Sequence, residues 1–241
     1  MNEQYADLIN KHGMQMGIIE RLLGEIEVDA RRAKSMYLRY QAHEDGVPIL
    51  KRTLFNVPLQ EVYRRMSVTR VDDKVKNCIN RNFEADIVDT KVGYFSGIPI
   101  TRSVAGESNF EHIVTEWDKE QDIADKDSTT VKMSAITGVA YRLLYVDKKG
   151  KAHAVNLDHT KESIAVLSRT GPSQPEYAVR KYAAIAYVEG NITNVEHLEF
   201  YDDTNITIFK YVDGAWQLSE VRRHLFDGCP LFAVPNNDEL Q

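Results

Sequence analysis

Cysteine is scarce in this chain. Its 241 residues hold two, Cys78 and Cys229. Two cysteines make no disulfide framework, so a buried core must hold the fold and a reducing cytosol is the natural setting. Seven prolines and thirteen glycines exclude collagen-like and low-complexity sequence. No apolar run approaches the length of a membrane span. Met1 is not followed by a basic-then-apolar leader. Asn191-Ile192-Thr193 and Asn205-Ile206-Thr207 match the glycosylation sequon, which without a secretory signal is read as chance. Basic charge is also in deficit: 30 Lys and Arg face 36 Asp and Glu, a formal net charge of −6. Proteins that grip nucleic acid by its phosphates carry a basic patch. The balance here argues against tight, static DNA binding. It suits a protein that meets DNA only weakly or not at all.

Signatures of catalysis are missing too. There is no Gly-rich phosphate loop, Gly-x-Ser-x-Gly elbow, His-Glu-x-x-His or Cys-x-x-Cys. Asp158-His159 with His153 lacks metal-ligand spacing, and on a strand the two histidines have opposite parity. Cys78, on the apolar side of a helix, reads as a small buried hydrophobe rather than as half of a redox pair with Cys229. The acidic run of Glu116, Asp118, Glu120, Asp122, Asp125 and Asp127 lacks the glycine and terminal glutamate of a calcium loop, and reads as a solvated helix end. No catalytic residue, cofactor or metal ligand is therefore expected.

What the chain does have is ordinary globular composition, 43% hydrophobic and 27% charged, at a length that allows a sizeable core. Residues 1 to about 13 read as a frayed start. From Met14 to Tyr40 the period is helical: Ile19, Leu22, Ile26, Ala30, Ala33, Tyr37 and Tyr40 form a narrow apolar seam. Asp45-Gly46 marks a turn, and 49–70 reads as irregular. A second helical block starts at Ser108 or Asn109, with Phe110, Ile113, Val114 and Trp117 on one face. A loop at Asp118–Asp127 and a short helix at Ser128–Thr137, ending at Gly138, follow. From Val139 the period becomes two. Strands are expected at 139–146, 152–157, 163–167, 177–188, 195–201 and 205–211. Asp147–Gly150 is a hairpin turn, and Asp202-Asp203 and Asp213-Gly214 are turn signals. Helices first and antiparallel hairpins after make the fold class α+β. The division expected is a helical arm and connector at 1–70 and an α+β domain at 71–241.

Residues 71–100 are the most distinctive. They read Val-Asp-Asp-Lys-Val-Lys-Asn-Cys-Ile-Asn-Arg-Asn-Phe-Glu-Ala-Asp-Ile-Val-Asp-Thr-Lys-Val-Gly-Tyr-Phe-Ser-Gly-Ile-Pro-Ile. The pattern predicts a helix capped by Asp72 or Asp73. Val75, Ile79, Phe83 and Ile87, then Val88, Val92 and Phe95, are its expected buried face. Gly97 would give a left-handed cap, and Pro99 a stop.

The same stretch resembles the "N-x-I/V-x-x-N-F-x-x-x-I-V-D-x-K-V-x-Y-x-x-G-x-P-I" signature in the wing region of tailed-phage portal proteins of the SPP1-like, Siphoviridae type. Further motifs follow in family order. Tyr37-Leu38-Arg39-Tyr40 with Gly46 to Arg52 is similar to the entry to the wing. Ala135 to Gly150 resembles the short helix leading into a hairpin, and Leu157-Asp158-His159 a turn after it. Glu176 to Tyr182 matches an "A-I/V-R-x-Y" strand. Phe226 to Glu239 matches the closing "F-G-x-x-P-x-x-x-x-x-N-N" run. The resemblance implies a homo-oligomeric ring, dodecameric in the full-length protein, at one capsid vertex. It implies partners: terminase large subunit, scaffolding and major capsid protein, a head-tail adaptor, and double-stranded DNA passing without sequence-specific binding. It implies no enzyme activity and no membrane partner, with localisation in the virion and, during assembly, the host cytoplasm.

Members continue into stem, clip and crown, so the chain is expected to be a wing-only piece that forms no stable ring alone. The residues expected at a subunit interface are Ile19, Leu22, Ile26, Arg64, Arg65, Arg222 and Arg223, with the helical seam folded back on its own domain or laid across a neighbour. The alternative is a non-viral α+β interaction module that associates through the long N-terminal helix.

Overall fold

The computed structural model describes residues 2–43, 82–102, 108–171, 175–188 and 191–237. Among them are five helices followed by eight strands, an α+β order as expected. The predicted cap at Asp72 or Asp73, the positions Val75 and Ile79, Cys78, Arg64, Arg65, the Asp45-Gly46 turn and the 49–70 stretch lie outside the described residues.

The chain opens with a helix rather than a frayed end. Helix α1 spans Asn2–His12 and buries Tyr5, Ala6 and Ile9, a four-residue step that a short segment conceals. Tyr5 donates to Glu25 Oε1 at 2.8 Å, and the Tyr177 hydroxyl donates to Asn10 at 2.9 Å. Gly13 takes φ +73° and separates α1 from α2, Met16–Tyr40. At 1.5 Å per residue, α2 is a rod about 37 Å long. Its predicted seam is buried or half-buried throughout.

Helix α3, Phe83–Ser96, begins with the Asn82 side chain accepting from the Ala85 N–H at 3.1 Å. Its buried side is Val88, flanked by half-buried Ala85 and Val92. Phe83, Ile87 and Phe95 point outward instead. The four-residue repeat is real, but α3 packs through a stripe one residue round the helix. Gly97 is right-handed, not left-handed. Its requirement is space: a Cβ there would lie 2.4 Å from the Gly93 carbonyl oxygen.

Helices α4, Ser108–Glu120, and α5, Ile123–Thr137, are parted by two residues, so the expected loop shrinks to Gln121 and Asp122. Asp122 makes the corner at φ +48°. Gly138 ends α5 at φ +91°, its N–H bonding to the Ser134 carbonyl at 2.9 Å. This is the left-handed stop for which glycine is suited.

Eight strands follow: β1 Val139–Val146, β2 Ala152–Leu157, β3 Ser163–Leu167, β4 Tyr177–Val188, β5 Asn191–Tyr201, β6 Asn205–Val212, β7 Ala215–Arg223 and β8 Leu231–Pro235. They form an antiparallel three-stranded sheet, β2-β1-β8, and an antiparallel five-stranded sheet, β3-β4-β5-β6-β7. The five-stranded sheet is covered on both faces. One face sends Val179, Leu198, Phe200 and Phe209 against Ile19, Leu22, Leu23 and Ile26 of α2 and Ile9 of α1. The other sends Ile164, Val166, Ala178 and Tyr201 against Leu143, Leu157 and Leu231 of the smaller sheet. β3 therefore faces a core on both sides, which is why Ser163–Leu167 reads as a continuous apolar run rather than an alternation.

The β4–β5 ladder runs from Ala178↔Tyr201 to Val188↔Asn191. β3 pairs β4 only as far as Lys181, and β6 pairs β5 only from His197 onward. Tyr182 to Val188 and Asn191 to Glu196 therefore pair only with each other, a two-stranded arm about 20 Å long at 3.3 Å per residue.

Candidate assembly surfaces

The histidine candidates do not converge. His153 stacks on Tyr145 and sits 3.2 Å from both Gln121 Oε1 and Asp147 Oδ2. His159 is buried edge-on to Tyr141 at 5.3 Å between ring centroids. No group of three metal-ligating side chains occurs among the described residues. Cys229 is buried and free, its thiol pushed up by burial to about 12, so it is inert. Much of the acidic run is tied into ion pairs. Asp118 and Asp127 hold Arg102 at 2.6 and 3.2 Å. Asp127 also holds Arg142 at 2.6 Å, and Glu120 holds Lys151 at 2.8 Å.

His159 makes a testable statement about stability. Neither ring nitrogen has a hydrogen-bond partner among the described residues. Burial lowers its pKa, against the smaller opposing pull of Asp158. The unfolded chain therefore binds a proton near pH 6.5 that the folded chain refuses. Stability is flat above that pH and falls below it, by up to about 1.4 kcal/mol per pH unit until the folded histidine titrates. Urea midpoints measured from pH 7.5 to 5 should fall, and His159→Phe should flatten the curve. An unchanged slope in the variant would place the acid sensitivity elsewhere.

One constellation escaped sequence reasoning. Arg180 Nε and Nη2 donate to the two oxygens of Glu162 at 2.7 and 2.9 Å, and Nη1 donates to Glu199 at 3.2 Å. Tyr201 and Tyr182 donate to the two Glu199 oxygens at 2.6 and 3.1 Å. The guanidinium lies 4.3 Å from the Tyr182 ring centre. Burial works against the charge on Arg180, but Glu162 and Glu199 outweigh it and raise its pKa. Burial and the Glu199 carboxylate push Tyr182 up to about 12. Each oxygen of Glu199 accepts from at least one donor, so the cluster ties β4, β5 and the bend before β3 together. The signal lay in cross-strand register, Arg180↔Glu199, which no local spacing reveals.

Of the expected interface residues, Ile19, Leu22 and Ile26 are buried in the chain's own core. The fold-back arrangement of the seam is the one present, because these side chains have no surface left to offer. Arg222 and Arg223 are exposed on β7, the outer strand of the five-stranded sheet, and neither makes an ion pair among the described residues.

Apolar side chains are exposed in several other places, among them Phe110 and Ile113 on α4 and Leu218 and Val221 on β7. On the arm, Ile185, Tyr187 and Ile192 share one face and are 77, 77 and 76% exposed. At the end of α3, Tyr94 and Phe95 on the helix and Ile98 beyond it are 91, 73 and 86% exposed. They border an open recess of about 450 Å³ together with Thr90 and Gly93.

The model of the family described as phage portal protein, SPP1 Gp6-like, matches residues 19–241. The chain belongs to this family. The match begins inside α2 and runs through both sheets, so it takes in most of the long helix, α3 and the whole β region of this portal-family chain. The family is structural rather than catalytic. No curated protein matches the chain. No helix among the described residues is long and apolar enough to cross a membrane.

Proposed function

We propose that the chain is the wing region of a portal subunit that assembles into a ring, dodecameric in the full-length protein, at one vertex of a tailed-phage capsid. Double-stranded DNA passes through that ring during packaging and ejection. The supporting observation is the family match across residues 19–241. The partners that follow are other copies of the subunit, terminase large subunit, scaffolding and major capsid protein, and a head-tail adaptor. Assembly takes place in the host cytoplasm, and the product resides in the virion. Arg222 and Arg223 are assigned to a contact with acidic surface on a neighbour, and Arg64 and Arg65 to the same kind of contact. The test is genetic. Phage lacking this gene should build heads without DNA, and DNA-filled heads from the deletion would overturn the reading. The interaction-module alternative drew its support from the seam Ile19 to Tyr40, of which Ile19, Leu22, Ile26 and Ala33 are buried and Ala30, Tyr37 and Tyr40 half-buried.

Two expected results follow for the pure protein. It should turn over neither ATP nor DNA, since the ATPase of packaging belongs to the terminase. Turnover abolished by a point mutation in this chain would refute that. DNA affinity should be no tighter than about 10⁻⁴ to 10⁻⁶ M at physiological salt and should fall steeply as salt rises. The net charge of −6 gives no basis for more. Submicromolar binding in a salt titration would contradict the charge argument.

A further inference from the structure

We infer that the outer edge of β7 pairs antiparallel with the same edge of a second copy, about a two-fold axis at Val221, so that Glu220 of each copy faces Arg222 of the other.

β7 is nine residues long and ends the five-stranded sheet. Among the described residues it pairs with β6 alone. Its other edge therefore offers backbone donors and acceptors to a further strand. Which groups point that way follows from the ladder. The His224 N–H donates to the Thr204 carbonyl at 3.2 Å. Inward and outward groups alternate along an antiparallel pair. Arg222 therefore turns its backbone toward β6, and Val221 and Arg223 turn theirs outward. Ile208 pairs Glu220 while Phe209 pairs Leu218. Ser219 is thus the extra residue of a bulge, and the regular run on its far side begins at Glu220.

Charge on an edge strand normally repels other strands. On β7 it also specifies one strand that fits. Turning Glu220-Val221-Arg222 end for end about Val221 sets Glu220 against Arg222 twice and Val221 against Val221. The charged pairs share the face of Ile206 and Ile208, which oppose Arg222 and Glu220 on β6. Glu220, Val221 and Arg222 are all exposed, and neither charged side chain has an ion-pair partner among the described residues. Other registers fail. A shift by one sets outward backbone groups against inward ones, so no ladder forms. The next allowed registers set Arg222 against Arg222 or Glu220 against Glu220, and like charges directly opposed are destabilising. The bare edges of the arm carry no such code. Tyr182 to Val188 has no charged residue, and Asn191 to Glu196 has one.

A two-fold contact joins copies in pairs and closes no ring. The inference is therefore independent of the ring reading.

The test is charge exchange in the full chain, read by light scattering across a dilution series. Glu220→Arg and Arg222→Glu should each weaken pairing about ten-fold, and the double variant should restore it to within about three-fold. Both positions are exposed, and circular dichroism checks that the variants fold. Oxidation reads the register. With Cys78→Ser in place and Cys229 buried, Val221→Cys should give a covalent dimer and no larger species on a non-reducing gel. Opposed residues that exchange both backbone hydrogen bonds lie about 5.5 Å apart, within disulfide reach. Arg223→Cys, which would face Ser219, should give no covalent dimer. A chain monomeric at every concentration, single variants that pair unchanged, or a double variant that stays weak would each overturn the inference. So would the lack of a disulfide from Val221→Cys, or an equal yield from Arg223→Cys.

Discussion

Replacing Arg180 by methionine is expected to cost about 3–5 kcal/mol of folding stability, the range found when one partner of a buried ion pair is removed. Methionine keeps much of the length and loses the charge. Glu199 is then left almost wholly buried with no cation, and Glu162 loses both of its bonds to the guanidinium. The two tyrosine hydroxyls still donate to Glu199, but they do not neutralise it. Urea unfolding followed by far-ultraviolet circular dichroism measures the loss. A triple variant that also carries Glu199→Leu and Glu162→Gln should recover most of it, because the uncompensated charge goes with its partner. A loss below about 1 kcal/mol in the single variant, the level of a surface pair, would mean that water reaches the cluster.

Replacing Leu22 and Ile26 by aspartate should abolish folding rather than dissociate an oligomer. Each side chain is worth about 1.5–3 kcal/mol when buried, and each aspartate adds the penalty of an unpaired charge in an apolar layer. Together these exceed the 5–15 kcal/mol that holds a typical domain folded, or come close to it. The milder Leu22→Ala should cost about 2–5 kcal/mol. Chromatography with circular dichroism decides the matter. A folded, monomeric aspartate double variant would return the seam to a subunit interface.

The strands were legible because runs rich in apolar and β-branched residues are bounded by turn signals, and β1 to β4 fall where those bounds put them. β5 runs four residues further back than its apolar pattern, since Asn191 to Asn194 belong to the exposed arm and obey no burial rule. β7 was missed for the same reason: it is exposed on both faces except at Trp216, so only its pairing with β6 defines it. β8 was hidden in a motif read for its glycine and proline. α3 teaches a different lesson. An apolar repeat on a helix says that a face wants to leave water, not which neighbour receives it. The stripe of Phe83, Ile87 and Phe95 is outward in this chain, and Val88 takes the inward place. The buried carboxylate lock was illegible because its members come from β4, β5 and the bend before β3, whose register is a property of the whole sheet.

The long helix α2 belongs to two parts of the molecule at once. Its first half lies on the five-stranded sheet. Its last turn is pinned to α3 by the Arg39–Glu84 pair and by the Tyr40 hydroxyl on Asp89 at 3.0 Å, with Lys132 of α5 reaching the same carboxylate at 3.4 Å. The two parts therefore share one helix. Heat should therefore unfold sheet and helices in one cooperative transition, with a calorimetric enthalpy equal to the van't Hoff value. A tilt imposed on α3 would likewise travel some 37 Å along a stiff lever to the sheet, without any side chain in between having to repack.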